Sequence, residues 1–200
     1  TLGCRSVVCI ERGSIEMGRG RGSRYAKHQG PMSREEIEEN LRLVGHYLCE
    51  QGLIGELLLV GGAYMTLVLH RREATKDVDA YFAAQAEAIR DAAARVAQEK
   101  GLPTDWLNDA VKGFVYSQPE MSLWLEYPGL RVYAPEPSYI FAMKAIAGRP
   151  ADIRDLRSLR DILGLKSSTE ALDVVTRYVP QRLLTPRVQY LIESLFDEED

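Results

Sequence analysis

Residues 57–82 narrow the folds open to this chain more than any other stretch. Leu57-Leu58-Leu59-Val60 is an apolar run of strand length, and it stops at Gly61-Gly62. A short helical turn follows. A second apolar strand, Lys76-Asp77-Val78-Asp79-Ala80-Tyr81-Phe82, then carries two aspartates one residue apart. Side chains at i and i+2 of a strand share a face, so the spacing predicts that Asp77 and Asp79 stand side by side with Val78 turned to the core. A carboxylate pair on an apolar strand is expensive to desolvate, and a divalent cation compensates it well. A glycine pair between strand and helix lets backbone amides approach an anion. A phosphate cradle beside a carboxylate pair is the layout of a metal-dependent nucleotide site.

The rest of the chain gives this stretch its setting. Two hundred residues at 46% apolar content suit one ordinary domain with a helical appendage. Net charge is −4, unevenly spread: residues 1–31 carry six Lys/Arg against Glu11 and Glu16, for +4, and the remainder sums to −8. An acidic body argues against double-stranded DNA as a partner. Residues 1–31, with Gly18-Arg19-Gly20-Arg21-Gly22, read as a flexible Arg/Gly-rich leader, with an RNA-contacting arm as the functional alternative. Asp197-Glu198-Glu199-Asp200 reads as a solvated tail. Three cysteines, Cys4, Cys9 and Cys49, without CxxC spacing, argue against a disulfide framework or zinc site. No run approaches the ~20 apolar residues that span a bilayer, and no segment reads as a signal peptide, so no membrane partner and a cytoplasmic location are expected.

In order along the chain, Ser33 and Glu36 match a capping box, and Ile37, Leu41, Val44 and Leu48 predict a helix over 33–51. A short helix is expected over 62–70 and an Ala-rich one over 85–100. A turn and a further helix are expected over 102–111, capped by Thr104 or Asp105. Ser122–Tyr127 alternates Leu123, Leu125 and Tyr127 against Ser122, Trp124 and Glu126, and Leu130–Ala134 is a shorter strand. From Ser138 onward the pattern is helical, over 138–148, 151–163, 168–178 and 186–196. About four strands are visible. The expectation is an α/β (α+β) fold, a small mixed sheet flanked by helices with a C-terminal helical half: leader 1–31, core 32–135, helical region 136–200 packed on the core.

Gly61-Gly62 followed by Arg72-x-x-Thr75-x-Asp77-Val78-Asp79 resembles the glycine and double-aspartate motifs of the minimal nucleotidyltransferase superfamily, the polymerase-beta-like fold. Leu102-Pro103-x-Asp105-Trp106-Leu107-Asn108 and Ala142-Met143-Lys144-Ala145-x-Ala147-x-Arg149-x-x-Asp152-x-x-Asp155-Leu156 resemble a bacterial family of that fold related to AbiEii-type toxins of type IV toxin–antitoxin systems. The resemblance covers about 35–165. It implies transfer of a nucleoside monophosphate from an NTP to an acceptor, tRNA or protein, with a cognate antitoxin as a further partner. Asp77 and Asp79 would hold Mg2+. Gly61, Gly62, Arg72, Thr75, Lys76, Arg149 and Asp152 would contact the nucleotide, and Lys144 and Asp155 would join the aspartates in catalysis.

Plainer roles stand beside these. Arg72 and Lys76 can pair with acidic neighbours. Lys144 can be a snorkelling lysine at a helix edge. Asp152 and Asp155, one helical turn apart, can form a network with Arg149, Arg154 or Arg157. Trp106 and Asn108 are candidates for the pocket lining, and Trp106 equally for a core anchor. Two departures from the superfamily pattern matter. The second motif glycine is usually Ser, and a third carboxylate usually comes from a later strand. Here only Glu126 is squarely placed for that, with Asp152 or Asp155 as substitutes.

Overall fold

The computed structural model describes residues 30–109, 117 and 119–197. Most of the leader and the end of the acidic tail lie outside the described residues. α1 spans Arg34–Glu50, and the expected capping box fixes its start. The Glu36 amide donates to the Ser33 hydroxyl while the Ser33 amide donates to the Glu36 carboxylate. Its stripe of Ile37, Leu41, Val44 and Leu48 is wholly buried.

Ahead of α1, β1 (Met32–Ser33) pairs antiparallel with β3 (Ala74–Thr75). β2 is Gly55–Leu59, and α2, Gly61–Leu67, is shorter than expected. β4 runs Val78–Ala84, so Asp77 sits just before the strand rather than within it. α3, Ala86–Lys100, ends on Gly101, whose φ of +68° is the left-handed cap that glycine takes at least cost.

The helix expected over 102–111 does not form in its described part. Thr104 and Asp105 lie in a turn, and Leu107–Asn108 is β5, parallel to β4 with Val78 opposite Leu107 and Asp79 opposite Asn108. Residues 110–111 of that expected helix lie outside the described residues. Tertiary bonds override local propensity here. The Val78 amide donates to the Trp106 carbonyl at 2.6 Å, and the buried Trp106 indole donates to the Ala93 carbonyl at 3.0 Å.

With β6 (Met121–Tyr127) and β7 (Leu130–Pro135) the described residues form a five-stranded mixed sheet, one strand more than expected, in the order β5-β4-β2-β7-β6. β2 is antiparallel to β4 and parallel to β7. Leu57 stands between Phe82 and Val132, and this row packs under α1 and α3 as the first core. The expected alternation of β6 is broken by a bulge: Leu123 opposes Tyr133, but Leu125 opposes Val132. Leu125 and Tyr127 reach the core, Leu123 is left 49% exposed, and the extra residue, Trp124, packs inward instead.

The C-terminal half holds α4 (Pro137–Ala147), α5 (Ile153–Leu163), α6 (Ser168–Tyr178) and α7 (Pro186–Glu193), with a 3-10 turn at Pro150–Asp152 before α5. Their inward faces form a second core. α2 serves both: Ala63 and Leu67 enter the sheet core, Tyr64 and Met65 the helical one. Among the described residues no helix is long and apolar enough to cross a membrane.

Candidate active site

A cleft of about 960 Å3 opens where α2 and the β3–β4 turn face α4 and the Arg149–Asp152 turn. That is room for a nucleotide-sized ligand. Gly61, Gly62, Arg72, Thr75, Lys76, Asp77, Asp79, Lys144, Arg149 and Asp152 line it together. Asp155, expected among them, does not; it is 2% exposed and stands behind the wall.

The glycines have a steric reason that the sequence did not reveal. The Val60 amide donates to the Asp79 carbonyl at 3.0 Å, drawing the β2–α2 junction against β4. Gly61 has φ +61°, and a Cβ there would lie 2.6 Å from Asp79 Oδ2. A Cβ on Gly62 would lie 2.6 Å from Thr75 Oγ1. Each glycine thus leaves room for one polar side chain of the facing strand, a carboxylate for Gly61 and a hydroxyl for Gly62.

Asp77 reaches solvent, Asp79 is half-buried, and Val78 between them is fully buried. The cleft walls partly desolvate Asp77. This, then the negative charges of Asp79 and Asp105, push its carboxyl above the ordinary value, partly offset by its own backbone hydrogen bond and Lys76. Asp105 also lines the cleft. The sequence offers Asp105 as a helix cap, and its place next to Trp106 in the family-like motif is the signal for the cleft. Asn108 lines the cleft as well, whereas Trp106 is wholly buried as a core anchor.

The hard oxygen donors of Asp77 and Asp79 suit Mg2+, which commonly takes one or two carboxylates and completes its shell with water and substrate phosphates. The Asp79 carboxylate fills the space a side chain at residue 61 would need, so glycine there lets this donor stand against the β2–α2 turn. Among the described residues no group of three or more His, Cys, Asp and Glu is disposed to hold a metal ion. Glu126, on the edge strand, pairs with Arg131 away from the cleft.

The opposite wall is an ion-pair chain. Arg72 Nε and Nη2 donate to the two Asp155 oxygens at 2.8 and 2.6 Å. Lys144 Nζ lies 2.7 Å from Asp155 Oδ2 and 2.5 Å from Asp152 Oδ1. Asp152 and Asp155 therefore pair with Arg72 and Lys144, not with Arg149, Arg154 or Arg157 in the way the spacing allowed. Lys144 is 7% exposed and does not snorkel. Removing Lys144, Asp152 and Asp155 from water is tolerable only with such mutual satisfaction, to which the half-buried Arg72 adds a fourth charge. Arg72 and Lys144 are already matched by carboxylates, while Lys76 and Arg149 line the cleft without an ion pair to any described residue.

A family model described as "Nucleotidyltransferase of unknown function (DUF6036)" matches residues 36–172, from α1 into α6, and takes in the cleft lining except Pro31. No curated protein and no solved structure matches the chain. The mixed sheet and its flanking helices are consistent with a nucleotidyltransferase-like fold.

Proposed function

The chain belongs to the DUF6036 nucleotidyltransferase family, and on that premise we propose that it moves a nucleoside monophosphate from an NTP to an acceptor hydroxyl with Mg2+ as cofactor. The observation that carries this is a single cleft holding Asp77 and Asp79 beside Gly61 and Gly62, with Lys76 and Arg149 on its lining. In such a transfer an acceptor oxygen bonds to the α-phosphorus, its proton is released, and pyrophosphate leaves with the electrons of the broken P–O bond. The protein's part is positioning and charge stabilisation.

Asp77 and Asp79 would hold Mg2+. When bound, the ion supplies neutralisation of the charge that builds on the transferred group and its leaving pyrophosphate. Lys76 and Arg149 offer point charge to the phosphates. Arg72 and Lys144, held by Asp155 and Asp152, give the wall a fixed geometry in which little has to reorganise during the reaction. The resemblance to AbiEii-type toxins supports tRNA or protein as the acceptor and a cognate antitoxin as the partner.

Incubation of the chain with each labelled NTP, Mg2+, and either total tRNA or a protein extract tests the proposal. Label should reach one acceptor pool from one preferred NTP, and Asp77→Ala or Asp79→Ala should abolish it. A second reading, a nucleotide-binding module with weak or no catalysis, is favoured by the lack of a third metal-binding carboxylate among the described residues. NTP-dependent thermal stabilisation without label transfer to any acceptor would select it.

A further inference from the structure

We propose that the Thr75 hydroxyl is a phosphate-binding group of the cleft, and that position 62 is glycine to leave it room. The proposal rests on the nucleotide-binding reading above and adds a specific donor to it. Thr75 is 6% exposed, lies on β3 opposite Met32, and lines the cleft. Valine would fill such a strand position without the cost of burying a hydroxyl.

Among the described residues that hydroxyl donates to the Asp77 carbonyl alone, at 3.1 Å. That is long for an O–H···O bond, which centres near ~2.8 Å. A hydroxyl proton rotates to suit its best acceptor, and a charged phosphate oxygen is stronger than a carbonyl. The surroundings point the same way. Thr75 Oγ1 and Arg72 Nη1 lie 2.6 and 3.5 Å from the point where a Gly62 Cβ would stand. The other two nitrogens of that guanidinium are taken by Asp155. Two donors, one neutral and one charged, therefore border the same space over Gly62. An anionic oxygen is the ligand they fit.

The test uses the full chain, Mg2+ and inorganic tripolyphosphate, which isolates phosphate contacts from base contacts, with dissociation constants from calorimetry. Thr75→Val should weaken binding about tenfold, the worth of one hydrogen bond to a charged group, and Thr75→Ser should keep most of it. Thr75→Ala serves if the valine variant does not fold. Gly62→Ser alone should also weaken binding, because its side chain collides with Oγ1. Gly62→Ser combined with Thr75→Ala should recover most of the loss, since the hydroxyl then enters from α2 instead of β3. A hydroxyl that only braces the Asp77 backbone would not be rescued in this way. Wild-type affinity in Thr75→Val, or a double variant as weak as its parents, overturns the assignment. If the wild-type chain binds neither tripolyphosphate nor any Mg2+–NTP, the nucleotide reading itself falls. If it binds them and Thr75→Val does so equally, only the role of Thr75 falls.

Discussion

Arg72 and Asp155 are 83 positions apart in the chain, yet they meet as a two-pronged pair at 2.8 and 2.6 Å. The first belongs to the loop before β3, the second to α5, so the pair ties the sheet half to the helical half across the cleft. Lys144 shares the same carboxylate at 2.7 Å.

Asp155→Ala should therefore cost more stability than Arg72→Ala. Losing the carboxylate strands a half-buried arginine and leaves the buried Lys144 with Asp152 alone, a change in the range of about 3 kcal/mol. Losing the arginine leaves Asp155 still paired with Lys144, and a cost of about 1–2 kcal/mol is expected, nearer that of a charged hydrogen bond. Urea unfolding of the two variants checks the order; equal midpoints would show that the shared lysine adds nothing.

Asp77 should weaken the fold in the pH range where it works. Its carboxyl is raised above the ordinary value, chiefly by burial and then by Asp79 and Asp105. The folded state therefore holds the proton more tightly than the unfolded one, and stability attributable to this group is lost as pH rises through the window between the two values. Asp77→Asn should be more stable than wild type at neutral pH, and the advantage should vanish below the ordinary aspartate range. Thermal melts from pH 3 to 8 at fixed ionic strength measure it, and a pH-independent difference would contradict the electrostatic origin.

Gly61→Ala and Gly52→Ala separate backbone strain from crowding. Both glycines have positive φ, +61° and +70°, but a Cβ at Gly52 meets nothing within 4 Å. Gly52→Ala should cost about 1 kcal/mol, the strain of the left-handed region alone. Gly61→Ala carries the same strain and also displaces the Asp79 carboxylate, so it should be worse in denaturant and should lose NTP-dependent stabilisation as well.

Trp106→Phe should lower stability by about 1–3 kcal/mol, from the lost bond to the Ala93 carbonyl and the smaller ring. It should leave nucleotide affinity nearly unchanged, because Trp106 belongs to the core and not the cleft. Parallel melts and calorimetry would show both.

The elements with a local cause were legible in the sequence: the capping box at Ser33, the stripe of α1, the apolar β2 stopping at glycine, and the four C-terminal helices. Where a long-range bond decides, local pattern failed. Leu107–Asn108 is a strand only because β4 lies beside it, and two residues carry no periodicity. The bulge at Trp124 takes Leu123 off the face that Leu125 and Tyr127 share, which alternation alone cannot show. At the cleft, residue types and spacing singled out Asp77, Asp79 and the glycines. The partners of Lys144 and Asp155, and the presence of Asp105, depend on how separate elements converge. The pairing of each glycine with one polar side chain is equally a three-dimensional fact.

The short β1–β3 ribbon also fixes a point of departure. Met32 sits opposite Thr75, and Pro31 lines the cleft. Gly30, the first described residue, therefore stands one peptide bond from the lining of the candidate site. A group attached directly at Gly30 would be tethered within a few residues of the opening. It would meet bound ligands at the high local concentration that a short tether imposes, roughly millimolar whatever its concentration in bulk.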